Sequence, residues 1–149
     1  MAIRHWLIAL AMGCILVGCQ SRSHRDGPPS GASTLVCPGA SCDAVVTVEN
    51  CVVSVEPQVL DLRQGPATQT LRWELRTPGY TFSTNPMNWA IVIKDPPNTH
   101  GQFTPSSPNP TRVIVQFKKR TPGLVHTYGV NVIRDDGQTC STPDPWVWE

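Results

Sequence analysis

Thr70-Leu71-Arg72-Trp73-Glu74-Leu75-Arg76 alternates cleanly, with Leu71, Trp73 and Leu75 on one side and Arg72, Glu74 and Arg76 on the other. Successive side chains of a strand point to opposite faces, so this stretch reads as a strand with one face buried and one in water. Outward from it the same grammar recurs. Residues 112–118 put Val113, Val115 and Phe117 inward, and residues 126–134 put Tyr128, Val130 and Val132 on one face. Residues 44–48 and 51–55 are apolar runs with a bend at Glu49-Asn50, and Pro57 breaks the line before 59–62. Residues 89–94 are apolar on both faces, which suits a central strand. Turn signals stand between the runs at Gln64-Gly65-Pro66, Pro78-Gly79, Thr121-Pro122-Gly123 and Asp135-Asp136-Gly137. Residues 139–141 and 143–148 complete the sheet.

Short strands at this spacing predict an all-β protein, an antiparallel β-sandwich of about seven strands. The 15 prolines and 11 glycines in 149 residues punctuate the whole chain and exclude long helices. Val53-Ser54-Val55-Glu56-Pro57, then Leu71-Arg72-Trp73-Glu74-Leu75, then Tyr128-Gly129-Val130-Asn131-Val132 resemble the first, second and penultimate strands of bacterial immunoglobulin-like and fibronectin-type-III-like domains. The resemblance implies an immunoglobulin-like architecture and no more. An antibody-type domain carries its inter-sheet cysteine two residues after the tyrosine, whereas here the next cysteine is Cys140.

The N-terminus carries a different signal. Arg4 precedes an apolar run from Trp6 to Gly18, about 13 residues, where a bilayer span needs roughly 20. It has the length and flanks of a signal-peptide core. Leu16-Val17-Gly18-Cys19 resembles the lipobox of bacterial lipoproteins. That resemblance implies cleavage before Cys19, a diacylglyceryl thioether on its sulfur, acylation (palmitate) of the new amino group, and, with Gln20 next, the outer membrane. Ala9-Leu10-Ala11 is a rival cleavage site, but it leaves too short an apolar core; Met12-Gly13-Cys14 has Ala11 where an aliphatic residue is wanted. A buried helix is the third alternative, and nothing amphipathic follows to support it. The expected organisation is therefore a signal peptide over 1–18, the lipidated cysteine with a flexible tether over 19–42, and the sandwich over 43–149. The polar part of the tether, about 17 residues rich in Gly, Ser and Pro, has an r.m.s. span of roughly 20–25 Å.

Twelve basic and 11 acidic residues become 11 and 11 once Arg4 leaves. This balance argues against nucleic acid as a partner and against a polybasic membrane patch. With Cys14 removed and Cys19 lipidated, Cys37, Cys42, Cys51 and Cys140 remain, and an even number in an exported chain reads as disulfides. Of three pairings the preferred one is Cys37–Cys42 around the Pro38-Gly39 loop, with Cys51–Cys140 tying the first strand to the last. Zinc suits the ligand type but lacks the short C-x₂-C spacing.

Catalysis needs a nucleophile with its base, or a metal cluster. G-x-S-x-G, H-E-x-x-H, Walker and G-x-G-x-x-G motifs are all missing, so no catalytic residue, cofactor or metal is predicted. Asp135-Asp136-Gly137 lacks the later oxygen ligands of a calcium loop and reads as a hairpin turn. His24 is expected to have no role, and His126 to lie at the surface. Lys118-Lys119-Arg120 reads as a solvated strand end, with an anion or partner site as the alternative. Residues 95–110 form a long connection with five prolines; it is either an insertion around a short edge strand at Gln102-Phe103 or a recognition loop with His100 and Phe103 at its tip. Trp146 and Trp148 either cap the core or anchor a partner.

The function expected is a non-enzymatic periplasmic lipoprotein, an interaction or structural module with a protein partner, anchored at the outer membrane through Cys19. The alternative is a lipoprotein inhibitor or immunity protein that neutralises a wall-degrading enzyme or a secreted toxin by inserting residues 95–110 into a cleft. An envelope enzyme comes third.

Overall fold

The computed structural model describes residues 27–95, 97–98, 101–106 and 109–149. In chain order its strands are β1 (Thr34–Val36), β2 (Ser41–Glu49), β3 (Val52–Glu56), β4 (Val59–Asp61), β5 (Thr68–Leu75), β6 (Tyr80–Phe82), β7 (Ile91–Asp95), β8 (Phe103–Pro105), β9 (Arg112–Lys118), β10 (Val125–Arg134), β11 (Thr139–Ser141) and β12 (Trp146–Trp148), with one 3-10 turn at Pro86–Asn88. They form a β-sandwich. One sheet has the order β3-β2-β5-β9-β8; the other runs β1-β4-β12-β10-β11, with β6 and β7 also paired to β10.

Alternation decides which side chains meet between the sheets. β2 contributes Cys42, Ala44, Val46 and Val48, β5 contributes Leu71, Trp73 and Leu75, and β9 contributes Val113, Val115 and Phe117. From the facing sheet come Tyr128, Val130, Val132, Leu60 and Val147. Trp73 and Tyr128 meet edge to face, ring centroids 5.4 Å apart, and the indole Nε1 donates to the phenol oxygen at 3.2 Å. Burial pushes the Tyr128 phenol well above its ordinary pKa, opposed only in part by the Trp73 hydrogen bond, so it stays protonated.

The two disulfides are Cys37–Cys42 and Cys51–Cys140. Cys51 belongs to the two-residue turn between β2 and β3, where Asn50 and Cys51 both have positive φ, 50° and 65°. That is the backbone a tight hairpin of right-handed twist requires. The bond from Cys51 reaches β11 and joins the sheets at this margin.

Three expectations are corrected. The sandwich is mixed, not antiparallel, because β1–β4, β4–β12 and β2–β5 are parallel pairs. Parallel neighbours need a crossover; here the chain leaves β3, passes through β4 in the other sheet, and returns as β5 beside β2. The described residues hold twelve strands rather than about seven, since six of them are three-residue pieces too short to show a period. The ordered domain also begins ahead of residue 43. β1 pairs with β4, Cys37 and Cys42 are buried, and the Cys37 amide donates to Asp61 O at 2.8 Å. The buried Gln69 amide holds this piece in place, its Nε2 donating to Cys37 O at 3.0 Å and Gly39 O at 2.8 Å. Gly65 makes room for that amide, since a Cβ there would lie 2.3 Å from Gln69 Nε2.

Trp73→Ala should lower stability by about 3–5 kcal/mol, the range for deleting a large buried aromatic. Urea denaturation measures it; a loss under about 1 kcal/mol would place this face outside the core.

Candidate functional site

A sandwich has two margins where its sheets part, and in this one each carries a recess. The first lies where β7 faces β8. Met87, Trp89, Ile91, Ile93, Phe103 and Val115 are among the side chains around a crevice of about 280 Å³. The second lies where β3 faces the 142–146 segment, a groove of about 570 Å³ lined by β3, Gln58, Thr142, Pro143, Asp144, Pro145 and Trp146 among others.

The far wall of the second groove is held from behind. Thr142 bonds Val130 twice, through its amide and its hydroxyl, both at 3.0 Å; Tyr128 N donates to Pro145 O and Trp146 N to Gln58 O, both at 2.9 Å. Lys94 crosses β10 to form an ion pair with Asp144. Gly129 lets it pass, because a Cβ there would stand 2.8 Å from Lys94 Cε. Pro143 and Pro145 have no N–H to offer toward β3.

The residues singled out from sequence do not come together. Cys19 and His100 lie outside the described residues. Phe103 is buried, its ring tilted against Phe117 with centroids 4.9 Å apart and edge-on to His126 at 5.0 Å. It cannot be the exposed tip of a recognition loop. β8 pairs with β9, and the Asn98 side chain closes its outer edge by exchanging two hydrogen bonds with the Phe103 backbone, 2.6 and 3.2 Å. β8 is the short edge strand of the first reading, and shortening 95–110 would remove the core residue Phe103, against the recognition-loop alternative. Trp146 and Trp148 flank the core residue Val147 and are half-buried on the opposite face. Trp146 lines the β3 groove, whereas Trp148 lies under the Arg63 guanidinium at 3.4 Å.

Two carboxylates that sequence reasoning missed are buried. Asp61 takes a fork from Arg63, Nε at 2.9 Å and Nη2 at 2.7 Å, with the Arg63 amide at 3.1 Å. The Arg63 hydrogen bond, opposed by burial, holds this carboxyl below its ordinary pKa. Glu149 is sealed at 1 % exposure: Oε2 accepts from the Arg120 and Thr121 amides at 2.8 and 3.1 Å, His126 Nε2 lies 3.1 Å from Oε1, and Gln102 Nε2 adds bonds of 3.2 and 3.4 Å. The surface position expected for His126 is therefore corrected, since its ring is wholly enclosed. This imidazole–carboxylate pair has no open face for a substrate and acts as a clasp on β8, β10 and β12. Lys119 bonds the carbonyls of Arg63 and Gly65 at 3.2 and 3.0 Å, so one cation of Lys118-Lys119-Arg120 is structural. Among the described residues no group of three or more His, Cys, Asp or Glu is placed to hold a metal ion.

Glu149→Ala leaves the Arg120 and Thr121 amides and Gln102 Nε2 without their acceptor and should cost about 3 kcal/mol or more in chemical denaturation, since each orphaned buried group costs about 1–3 kcal/mol; a change near zero would show that the clasp is solvated. Asp61 has a folded pKa below its unfolded value, so its contribution is fully present above about pH 4 and is lost as pH falls through the folded value. Asp61→Asn should therefore lower stability at neutral pH and flatten part of the wild-type decline in acid, as thermal melts across pH 2–7 would read.

No protein-family model, curated protein sequence or solved structure matches the chain.

Proposed function

We propose that this protein is a bacterial envelope lipoprotein, held at the outer membrane by lipid on Cys19, whose β-sandwich faces the periplasm and serves as a non-enzymatic interaction module. The observation that carries the module reading is the groove beside β3, a recess of about 570 Å³ whose lining sets Val, Pro and Trp side chains among as many polar ones, Glu56 and Asp144 included, a composition suited to a peptide surface. The pair that could have carried acid–base chemistry, His126 and Glu149, is sealed inside. Two disulfides suit an oxidising compartment outside the cytoplasm. Leu16-Val17-Gly18-Cys19 supports the anchor.

Radiolabelled fatty acid should enter the wild-type chain and the Cys14→Ser variant, and be absent from Cys19→Ser, because the thioether needs the thiol. Persistent labelling of Cys19→Ser together with loss in Cys14→Ser would move the processing site. Mild crosslinking of envelope extracts should then recover the wild-type chain bound to a protein partner.

A further inference from the structure

β3 is the outer strand of its sheet, and the direction of each of its backbone groups follows from the register. In β2, Val46 O accepts from Arg76 N, and Val48 N donates to Thr77 Oγ1, so these residues face the β5 side. Their neighbours Val45, Thr47 and Glu49 then face β3, opposite Glu56, Ser54 and Val52. The N–H and C=O groups of Val53 and Val55 consequently point away from the sheet into the groove margin, and no backbone bond to the described residues uses them. Their side chains are buried, at 1 % and 6 % exposure, while Val52 on the outer row is 61 % exposed. Two donors and two acceptors, spaced as in a β-ladder, thus stand beside a wall that does not pair with them.

The groove also has a sign. Its lining contains two carboxylates, Glu56 and Asp144, and no Lys or Arg. Lys94 neutralises Asp144, and Glu56 has no ion-pair partner among the described residues. We propose that the β3 margin binds an extended, cationic peptide segment of a partner protein as an added strand, an inference that rests on the interaction-module reading. The added strand bonds Val53 and Val55. Alternate side chains, small and apolar, face Pro143, Pro145 and Trp146, and the other row sets a Lys or Arg against Glu56 beside Val52 and Ser54. A second copy of this chain is a poorer occupant, because the outer row of its own β3 is Val52, Ser54 and Glu56, without a cation.

The probe is the peptide Lys-Val-Thr-Val-Thr-Val-Lys, added to the full chain in detergent at low salt and followed by calorimetry and amide hydrogen exchange. Binding should slow exchange at the Val53 and Val55 amides. N-methylation of one alternate set of peptide amides should weaken binding roughly tenfold or more, while methylation of the other set is tolerated. Glu56→Gln, an exposed and conservative change, should weaken binding about two- to fivefold. Absence of binding, equal binding of both methylated peptides, protection confined to another edge, or protection that rises with protein concentration without peptide (a second copy on β3) would each overturn the proposal. A crosslinked partner in wild-type envelopes alongside any of those results would leave the module reading standing and remove only this surface from it.

Discussion

Trp73 and Tyr128 meet where a central strand of one sheet faces a central strand of the other, and the spacing of the sandwich depends on that contact. Each ring brings a large apolar surface and one polar group, and the indole N–H of Trp73 finds its acceptor in the phenol oxygen of Tyr128 inside the core. Burial raises the phenol's pKa, which keeps the bond between uncharged groups at neutral pH. The strands that carry these rings, β5 and β10, have neighbours on both sides. Cys51–Cys140 then joins the sheets at one margin, closing a separation of 89 residues; chain entropy puts such a link at about 4–5 kcal/mol.

Burying a carboxylate is expensive unless its hydrogen-bonding capacity is filled. Among the described residues this happens twice, at the same end of the parallel β4–β12 pair. Asp61 closes β4 and Glu149 follows β12; β4 and β12 are three residues each, and their register sets Trp148 opposite Asp61. So few ladder bonds specify register weakly. A slip of one residue in β12 would pull Glu149 from His126, Gln102 and two amides and leave a buried carboxyl without partners, while the Asp61–Arg63 fork, two residues apart on one segment, would move with β4. Glu149 thus fixes the alignment of a short parallel patch that apolar packing alone leaves open to slippage.

The long strands were legible because period two survives over seven or eight residues: β5 and β9 lie where Leu71-Arg72-Trp73-Glu74-Leu75 and the run from Val113 to Phe117 put them. Alternation reports which face is buried but carries no direction, so the parallel pairing of β2 with β5 was invisible. Residues 34–42 read as tether because they continue the Gly-, Ser- and Pro-rich stretch before them and Pro38-Gly39 interrupts them, and the group that docks them, Gln69, lies about 30 positions away. Phe103 looked exposed for the same reason, since its sequence neighbours are loop formers while its real neighbours are Phe117 and His126. Trp146 and Trp148 could be singled out as large aromatics alternating with Pro145 and Val147. The β3 margin could not, because being an edge is a property of sheet order, and sheet order is settled by residues far from Val53 and Val55.

Edges of a sheet invite unwanted pairing, and folded proteins blunt them with short strands, proline, charge or a covering segment. β8 is three residues long, ends in Pro105, and has Asn98 across its outer backbone. β1 is likewise three residues. β3 differs from both. It is a five-residue strand with no proline inside it, two outward-facing residues with open backbone groups, and an exposed valine at its start. The segment across from it could have closed that edge had it carried free amides; it carries Pro143 and Pro145 instead, and its remaining bonds are directed back to Val130, Tyr128 and Gln58. The wall therefore shields the edge from broad, flat partners without satisfying it. A chain thin enough to enter the groove, and cationic enough to stand beside Glu56, meets neither obstacle.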